Sequence, residues 1–85
     1  LQLLDLTQNP LGPEGVRRLL TARWTRSLVW LGLSETGVSD ESLGEFARSG
    51  RFTHLRTLHL SGNPVTDAGA AALADEPSLA RLRIL

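Results

Sequence analysis

The sequence predicts an α/β fold in which short parallel strands alternate with helices along the 85-residue chain. The pattern Leu-x-x-Leu-x-Leu begins at Leu1, Leu28 and Leu55, so each start lies 27 residues after the one before it. Each pattern is followed by a polar turn and then by a stretch that begins like a helix. Because one such unit cannot bury its apolar side alone, we expect successive units to stack.

The third unit shows most clearly how a strand is predicted. Leu58 and Leu60 alternate with Thr57 and His59, which places the two leucines on one face of a strand and the polar pair on the other. The turn at residues 61–64, Ser-Gly-Asn-Pro, then ends the strand, because Pro cannot donate to a ladder. We therefore expect one face to be core and the other to be solvated.

The helices are predicted from their first residues and their apolar spacing. Ser39 and Thr66 are suitable N-caps, Asp67 lies in a first turn, and Pro13 fits the first helical position, where its missing N–H costs nothing. The helical residues expected to face the core are Val16, Leu19, Leu20, Leu43, Phe46, Ala70 and Leu73. Between helix and next strand, Trp24, Phe52 and Leu79 are expected to be core as well.

The extended pattern Leu-x-x-Leu-x-Leu-x-x-Asn-x-Leu resembles the leucine-rich repeat. The first copy carries Asn9 and Leu11, and the third carries Asn63 and Val65. The resemblance implies a leucine-rich-repeat solenoid with a parallel inner β-sheet and outer helices. We expect a single domain over residues 1–85, with repeats at 1–27, 28–54 and 55–81 and a partial repeat at 82–85, cut from a longer array.

Two further features resemble particular classes of the family. Gly15 and Gly69 lie four residues before Leu19 and Leu73, as in the ribonuclease-inhibitor-like class. The strings GVSDESLGEFA and PVTDAGAAALA are similar to repeats of F-box substrate receptors and bacterial effectors.

The second copy is the least regular, since Thr36 stands where the other copies have Asn9 and Asn63. The turn Asn of such repeats satisfies neighbouring backbone groups in a ladder. We therefore expect the ladder to weaken at Thr36 and the turn there to be looser.

Composition narrows the classes of function. Nine basic residues balance nine acidic residues, and Cys is absent, which leaves no disulfide or thiolate framework for a metal. No apolar run approaches the ~20 residues of a membrane-spanning helix, and residues 1–85 contain no charged-then-apolar leader pattern. With a net charge of zero, we read the four arginines of the first helix region as a solvated face and expect no nucleic-acid partner; these are Arg17, Arg18, Arg23 and Arg26. We expect a cytoplasmic protein without a cofactor.

The expected partner-binding face is the strand face, whose rows follow from the 27-residue spacing. The rows are Leu3, Trp30, Thr57 and Ile84; Asp5, Gly32 and His59; and Thr7, Ser34 and Ser61. Trp30 stands beside the bare position at Gly32, so we expect its ring to be uncovered on that side and available to a partner. The alternative, that Trp30 only packs against Leu3 and Thr57 to cover strand backbone, stays open.

Catalysis by the polar residues of this face is not expected. Ser34 and His59 are diagonal neighbours, but Asp5 lies two strands from His59, roughly 9 to 10 Å away, which is too far to orient an imidazole. No glycine elbow surrounds Ser34. The two histidines, His54 and His59, have no Cys nearby, so no metal site is expected.

Basic residues gather where the strands are predicted to begin: Arg26, His54, Arg56, Arg81 and Arg83. Arg56 and Arg83 are expected to be neighbours on adjacent strands, where an anion or an acidic partner could meet them.

Together these patterns predict a non-enzymatic protein-binding module. The residues expected to contact the partner are Leu3, Asp5, Trp30, Thr57, His59, Arg56 and Arg83. Two other roles stay open by resemblance: the substrate-recognition part of a ubiquitin-ligase adaptor, and an enzyme-regulating surface of the GTPase-activating or nuclease-inhibiting kind.

Overall fold

A computed structural model describes residues 2–85. The strands are β1 (Leu3–Asp5), β2 (Trp30–Gly32), β3 (Thr57–His59) and β4 (Arg83–Ile84). The helices are α1 (Gly12–Thr21), α2 (Asp40–Arg48) and α3 (Asp67–Ala74), and short 3₁₀ helices span Arg23–Ser27 and Pro77–Leu79. All four strands are parallel, in the order β1-β2-β3-β4. The predicted α/β fold with a parallel sheet is therefore confirmed.

The core lies between the sheet and the helices, and the repeated leucines fill it. Leu28, Leu31 and Leu58 are fully inaccessible to solvent. The leucines that complete the second and third patterns, Leu33, Leu55 and Leu60, are also buried. Of the helical residues expected to face the core, six are buried: Val16, Leu19, Leu20, Leu43, Phe46 and Leu73.

The expectation for Ala70 is wrong, because α3 packs on α2 through a different residue. Ala70 is exposed, whereas Gly69 is buried. A Cβ on Gly69 would lie 3.0 Å from Leu43 Cδ1 and 3.1 Å from Val65 Cγ1. The missing side chain of Gly69 thus lets the two helices approach, and Ala70 is turned away from that contact.

The predicted caps are present. Ser39 Oγ accepts a hydrogen bond from the Ser42 amide at 3.3 Å, and Thr66 Oγ1 accepts one from the Ala68 amide at 3.3 Å. Helix α1 begins at Gly12, so Pro13 is its second residue and still avoids the loss of a helical hydrogen bond.

The segment before β2 corrects the expectation for Trp24. Phe52 and Leu79 are buried as expected, but Trp24 is 42% exposed and Thr25 is the buried residue, at 0%. Thr25 is the residue that lies 27 positions before Phe52, so the buried position follows the 27-residue spacing. Its hydroxyl donates to the Ala22 carbonyl at 2.7 Å, which allows a polar side chain to be buried there.

The turn ladder depends on Asn63. Its Oδ1 accepts hydrogen bonds from the amides of Thr36, Gly37 and Val38 at 3.0, 2.9 and 3.2 Å. Its Nδ2 donates to the carbonyls of Leu33 and Leu60 at 2.8 and 2.9 Å. One side chain therefore satisfies five backbone groups of two adjacent turns.

Thr36 does not interrupt this ladder, contrary to expectation. Its carbonyl accepts the amides of Leu11 and Gly12 at 3.0 and 3.2 Å, so backbone replaces the missing Asn side chain. Its hydroxyl donates to the Leu33 carbonyl at 2.6 Å, and the residue is completely buried. The looser turn predicted at Thr36 concerns motion and stays a prediction, although these hydrogen bonds argue against it.

The strand register follows the 27-residue spacing at two junctions and departs from it at the third. Leu3 pairs with Trp30 and Trp30 pairs with Thr57, but Thr57 pairs with Arg83 rather than Ile84. The expected place of Ile84 on the strand face is therefore wrong, since Ile84 pairs with Leu58.

A missing bulge explains this shift. At the start of β2, the amides of Val29 and Trp30 both donate to the Gln2 carbonyl, at 2.7 and 3.1 Å. At the start of β3, two successive amides likewise share the Val29 carbonyl. At the start of β4, the Arg83 amide donates to the Arg56 carbonyl at 2.8 Å and no second amide of residues 2–85 shares that carbonyl, so Arg83 itself is the residue that pairs with Thr57. Without the extra residue of a bulge, β4 is advanced by one position.

Candidate partner-binding face

The strands present one row of side chains across the sheet where the pairing is regular. In the order of the strands this row is Leu3, Trp30, Thr57 and Arg83. Leu3 is 59% exposed, and Arg83 is exposed, whereas Trp30 and Thr57 are half-buried. The parallel row places an aliphatic, an aromatic, a hydroxyl and a cationic side chain side by side on one surface.

The second row is built around Gly32, and it corrects the expectation for Trp30. A Cβ on Gly32 would lie 2.8 and 2.9 Å from the Cη2 and Cζ3 atoms of Trp30. The indole ring therefore occupies the space that a side chain at Gly32 would need, and its side toward Gly32 is covered. The ring also packs against the imidazole of His59 in a tilted arrangement, with 4.9 Å between centroids and planes inclined by 44°.

Asp5 approaches Gly32 from the neighbouring strand β1, where the two residues are paired. Its Oδ1 would lie 2.5 Å from a Cβ at Gly32 and accepts a hydrogen bond from the Thr7 amide at 3.0 Å. Hydrogen bonds from the Thr7 hydroxyl and amide lower the pKa of Asp5 below its ordinary value, and the nearby His59 adds a smaller effect in the same direction. The carboxylate is exposed and ionised at neutral pH.

Arg56 and Arg83 are adjacent in backbone but do not share a side-chain row. Arg83 pairs with Thr57, so Arg56 precedes the paired residue, and alternation along the strand directs it away from the row. Arg56 and Arg83 are therefore backbone neighbours as expected, with the Arg83 amide donating to the Arg56 carbonyl at 2.8 Å, but the shift at β4 places Arg83 beside Thr57 rather than beside Arg56 in the side-chain row. Arg56 instead lines a cavity of about 220 Å³ with Arg81, Thr53 and Ser78.

A second cavity lies along the same edge of the sheet. It has a volume of about 360 Å³ and is lined by Gln2, Arg26, Ser27, Val29 and His54. His54 Nδ1 lies 3.1 Å from the Arg26 carbonyl. Because a carbonyl only accepts hydrogen bonds, Nδ1 carries the proton in that contact. The predicted gathering of basic residues where strands begin is present at Arg26, His54, Arg56 and Arg81.

Comparison with protein families accounts for both the repeated leucines and the strand–turn–helix order. The model of the family described as Leucine Rich repeat matches residues 1–20 and 53–74. The chain carries leucine-rich repeats. No curated protein matches it. Leucine-rich repeat domains generally mediate protein–protein interaction, and the family is typically non-enzymatic.

The geometry of this leucine-rich repeat chain does not assemble a nucleophile, a base and an acid. In residues 2–85, Asp5 is hydrogen-bonded to Thr7 and His59 packs against Trp30, and neither is hydrogen-bonded to Ser34. Over the same residues, no three His, Asp or Glu side chains gather as metal ligands would, and no helix is long and apolar enough to cross a membrane.

Sequence reasoning missed two residues that shape this leucine-rich repeat surface. Thr7 holds Asp5, and the spacing Asp-x-Thr, in which an Asp side chain accepts the amide two residues on, could have indicated it. The sequence predicts open space beside Gly32, whereas the Trp30 ring fills the space above it. A glycine in a strand between charged or aromatic neighbours is the sequence signal that one of those side chains can lie over it.

Proposed function

We propose that this chain is a non-enzymatic protein-binding module whose strand face contacts the partner. The observation that carries the proposal is the Trp30–His59 ring contact on the strand face, in which the Trp30 ring also lies over Gly32. Tryptophan is enriched in interface hot spots, and a ring that is already packed in place loses little conformational freedom on binding. The residues assigned to the contact are Leu3, Asp5, Trp30, Thr57, His59 and Arg83, with Arg56 at the edge.

Exposed apolar surface beside the pair supports the same assignment. Leu3 is 59% exposed and pairs with Trp30 in the sheet, so an aliphatic side chain lies next to the indole. Polar and charged side chains, Asp5 and Arg83, flank this apolar part. An apolar centre with a polar rim is the arrangement found in protein interfaces.

We extend the proposal to the architecture. The regular pairing of Leu3, Trp30 and Thr57 supports a solenoid of three 27-residue repeats within one domain over residues 1–85, as part of a longer array. An α-helix in each unit supports the ribonuclease-inhibitor-like class. We place the protein in the cytoplasm and assign it no nucleic-acid partner, and imaging of the tagged protein tests the location.

A capture experiment tests the binding face. The intact protein is used as bait in host lysate, and wild type is compared with a Trp30→Ala, His59→Ala double variant. The matched control is Trp24→Ala, which removes an exposed tryptophan outside the strand face. We expect one specific protein to be lost with the double variant and retained with the control. Retention of every captured protein by the folded double variant would refute the proposal.

The identity of the captured protein separates the two other roles. Core subunits of a ubiquitin ligase among the captured proteins would favour a substrate adaptor. A partner enzyme whose rate changes when the purified chain is added would favour an enzyme regulator. A partner that binds without either result is what the simple binding module predicts.

A further inference from the structure

Asp5 is an ionised group on the strand face without a cation bonded to it. The ion pairs within 4.0 Å among residues 2–85 are Arg17–Glu14 at 3.7 Å and Arg17–Glu45 at 3.6 Å, and neither involves Asp5. Its hydrogen-bond donors are the amide and hydroxyl of Thr7. A carboxylate has about four acceptor positions on its two oxygens, so Asp5 can accept further donors from solvent or a partner.

The Trp30 ring stands beside this carboxylate, because both groups lie over Gly32. The Cη2 and Cζ3 atoms that lie over Gly32 belong to the rim of the indole, and Asp5 Oδ1 lies over the same glycine. The rim of an aromatic ring is electropositive and its face is electronegative. A cation bound to the carboxylate therefore lies near an aromatic ring, and the face of such a ring attracts cations.

We propose that the strand face recognises a cationic side chain of its partner, with the cation bound by Asp5 and packed against Trp30. The proposal rests on the proposed function and names the chemistry of the partner at that place. Arginine fits best, because its planar guanidinium pairs with a carboxylate through two parallel hydrogen bonds and also stacks on an aromatic ring.

Charges around the site favour the same position for the cation. Glu35 is exposed in the turn after β2, and its Oε2 accepts a hydrogen bond from Gln8 Nε2 in the turn after β1 at 3.1 Å, so a second carboxylate lies at the turn end of these two strands. Arg83 lies at the opposite side, on β4 beside Thr57. A partner cation is therefore attracted to β1 and β2 and repelled by β4, which fixes its place on the face.

Fluorine NMR of tryptophan tests this inference directly. The intact protein is labelled with 5-fluorotryptophan, and the Trp30 signal is assigned by its loss in Trp30→Phe. The probes are N-acetyl-arginine amide and the neutral isostere N-acetyl-citrulline amide. We expect the arginine probe to shift the Trp30 signal saturably while the Trp24 signal stays in place. The Asp5→Asn variant, which keeps an acceptor for Thr7, should weaken arginine binding by about fivefold.

Equal effects of the two probes, an undiminished effect in Asp5→Asn, or an equal shift of Trp24 would overturn the inference. Its failure is distinguishable from that of the proposed function. If capture of the partner depends on Trp30 and His59 but the arginine probe does not bind, the proposed binding face is supported and the inference of a cationic partner residue is refuted. If the probe binds and the double variant still captures every partner, Asp5 and Trp30 bind arginine, but the proposed function fails and the inference about its partner fails with it.

Discussion

Both carboxylate oxygens of Asp40 accept hydrogen bonds from Thr66, 26 residues further along the chain. Oδ1 accepts the Thr66 amide at 2.8 Å, and Oδ2 accepts its hydroxyl at 2.6 Å. Thr66 is at the same time the N-cap of α3. The first turn of one helix thus holds the start of the next, which links α2 to α3 at their N-terminal ends.

This link predicts a loss of stability in acid. The hydroxyl of Thr66 and then its amide lower the pKa of Asp40 below its ordinary value of 3.8, and the Gly69 amide adds to this against the opposing effect of burial. A pKa that is lower in the folded state gives stability above the unfolded pKa, and this stability is lost as the pH falls through the folded pKa. Urea unfolding at several pH values below about 4 should show the loss, with a smaller loss in Asp40→Asn.

The matched control for Asp40 is Asp67→Asn. Asp67 lies in the first turn of α3, but its carboxylate makes no hydrogen bond or ion pair to any of residues 2–85. Its replacement should leave the acid dependence of the unfolding free energy close to wild type. An acid dependence that is the same in wild type and Asp40→Asn would contradict the link to Thr66.

Replacing Asn63 with Ala should destabilise the fold by about 2 to 4 kcal/mol. Five backbone groups lose their partner, and each buried group left unpaired costs about 1 to 3 kcal/mol before water compensates. Asn9→Ala is the control, because its Nδ2 contacts only the carbonyls of Leu6 and Thr7 within an exposed turn. Urea unfolding measures both, and equal costs for the two variants would refute the role of Asn63.

The turn ladder also predicts hydrogen exchange at Thr36. Its amide donates to Asn63 Oδ1 and the residue is completely buried, so we expect protection of this amide comparable to that of the core strands. Asn63→Ala should remove this protection selectively. Rapid exchange of the Thr36 amide in the wild-type protein would instead support the looser turn that the sequence predicts.

Gly32→Ala should separate binding from folding. The atoms that an added Cβ would meet are the ends of the Asp5 and Trp30 side chains, which can move at small cost. We expect unfolding free energy within about 1 kcal/mol of wild type, because Ala also restricts the unfolded chain. The imidazole resonances of His59 should lose the ring-current shift of Trp30, and partner capture should weaken. Unchanged His59 resonances would show that the ring does not need this space.

The corrected core position can be tested with a pair of aromatic substitutions. Phe52 is 2% exposed and stacks on Phe46 with 4.1 Å between centroids, so Phe52→Ala should cost about 3 to 5 kcal/mol. Trp24→Ala should change the unfolding free energy by less than about 1 kcal/mol, since the ring is 42% exposed. Thermal or urea unfolding gives both values, and a larger cost at Trp24 would restore the original assignment.

Trp24 also shows where reasoning from sequence stops. The 27-residue spacing predicts the strands, the core leucines such as Leu31 and Leu58, and the caps Ser39 and Thr66. The spacing points to Thr25, but hydrophobicity favours its neighbour Trp24. Thr25 can be buried because its hydroxyl donates to the carbonyl of Ala22, the N-cap of the short helix, a local hydrogen bond that composition does not reveal.

The strand face was predictable in position but not in contacts. Repeat alignment places Trp30, Gly32 and His59 on neighbouring strands, and the observed pairing confirms those places. The direction in which the Trp30 ring turns depends on its rotamer, and the rotamer depends on the free space over Gly32. Such choices among staggered side-chain positions are not encoded in the spacing of the sequence.

The bulge that is absent before β4 has a consequence for how such surfaces change. Side chains alternate along a strand, so gaining or losing one backbone residue there exchanges the outward and inward sets while the leucines before it keep their places. At β4 the exchange presents the guanidinium of Arg83 where strict periodicity would present the aliphatic Ile84. A change in strand pairing alone, with the 27-residue spacing unchanged, thus replaces an aliphatic side chain by a cationic one on this surface, and an alignment that assumes constant spacing assigns the wrong outward residue to that unit.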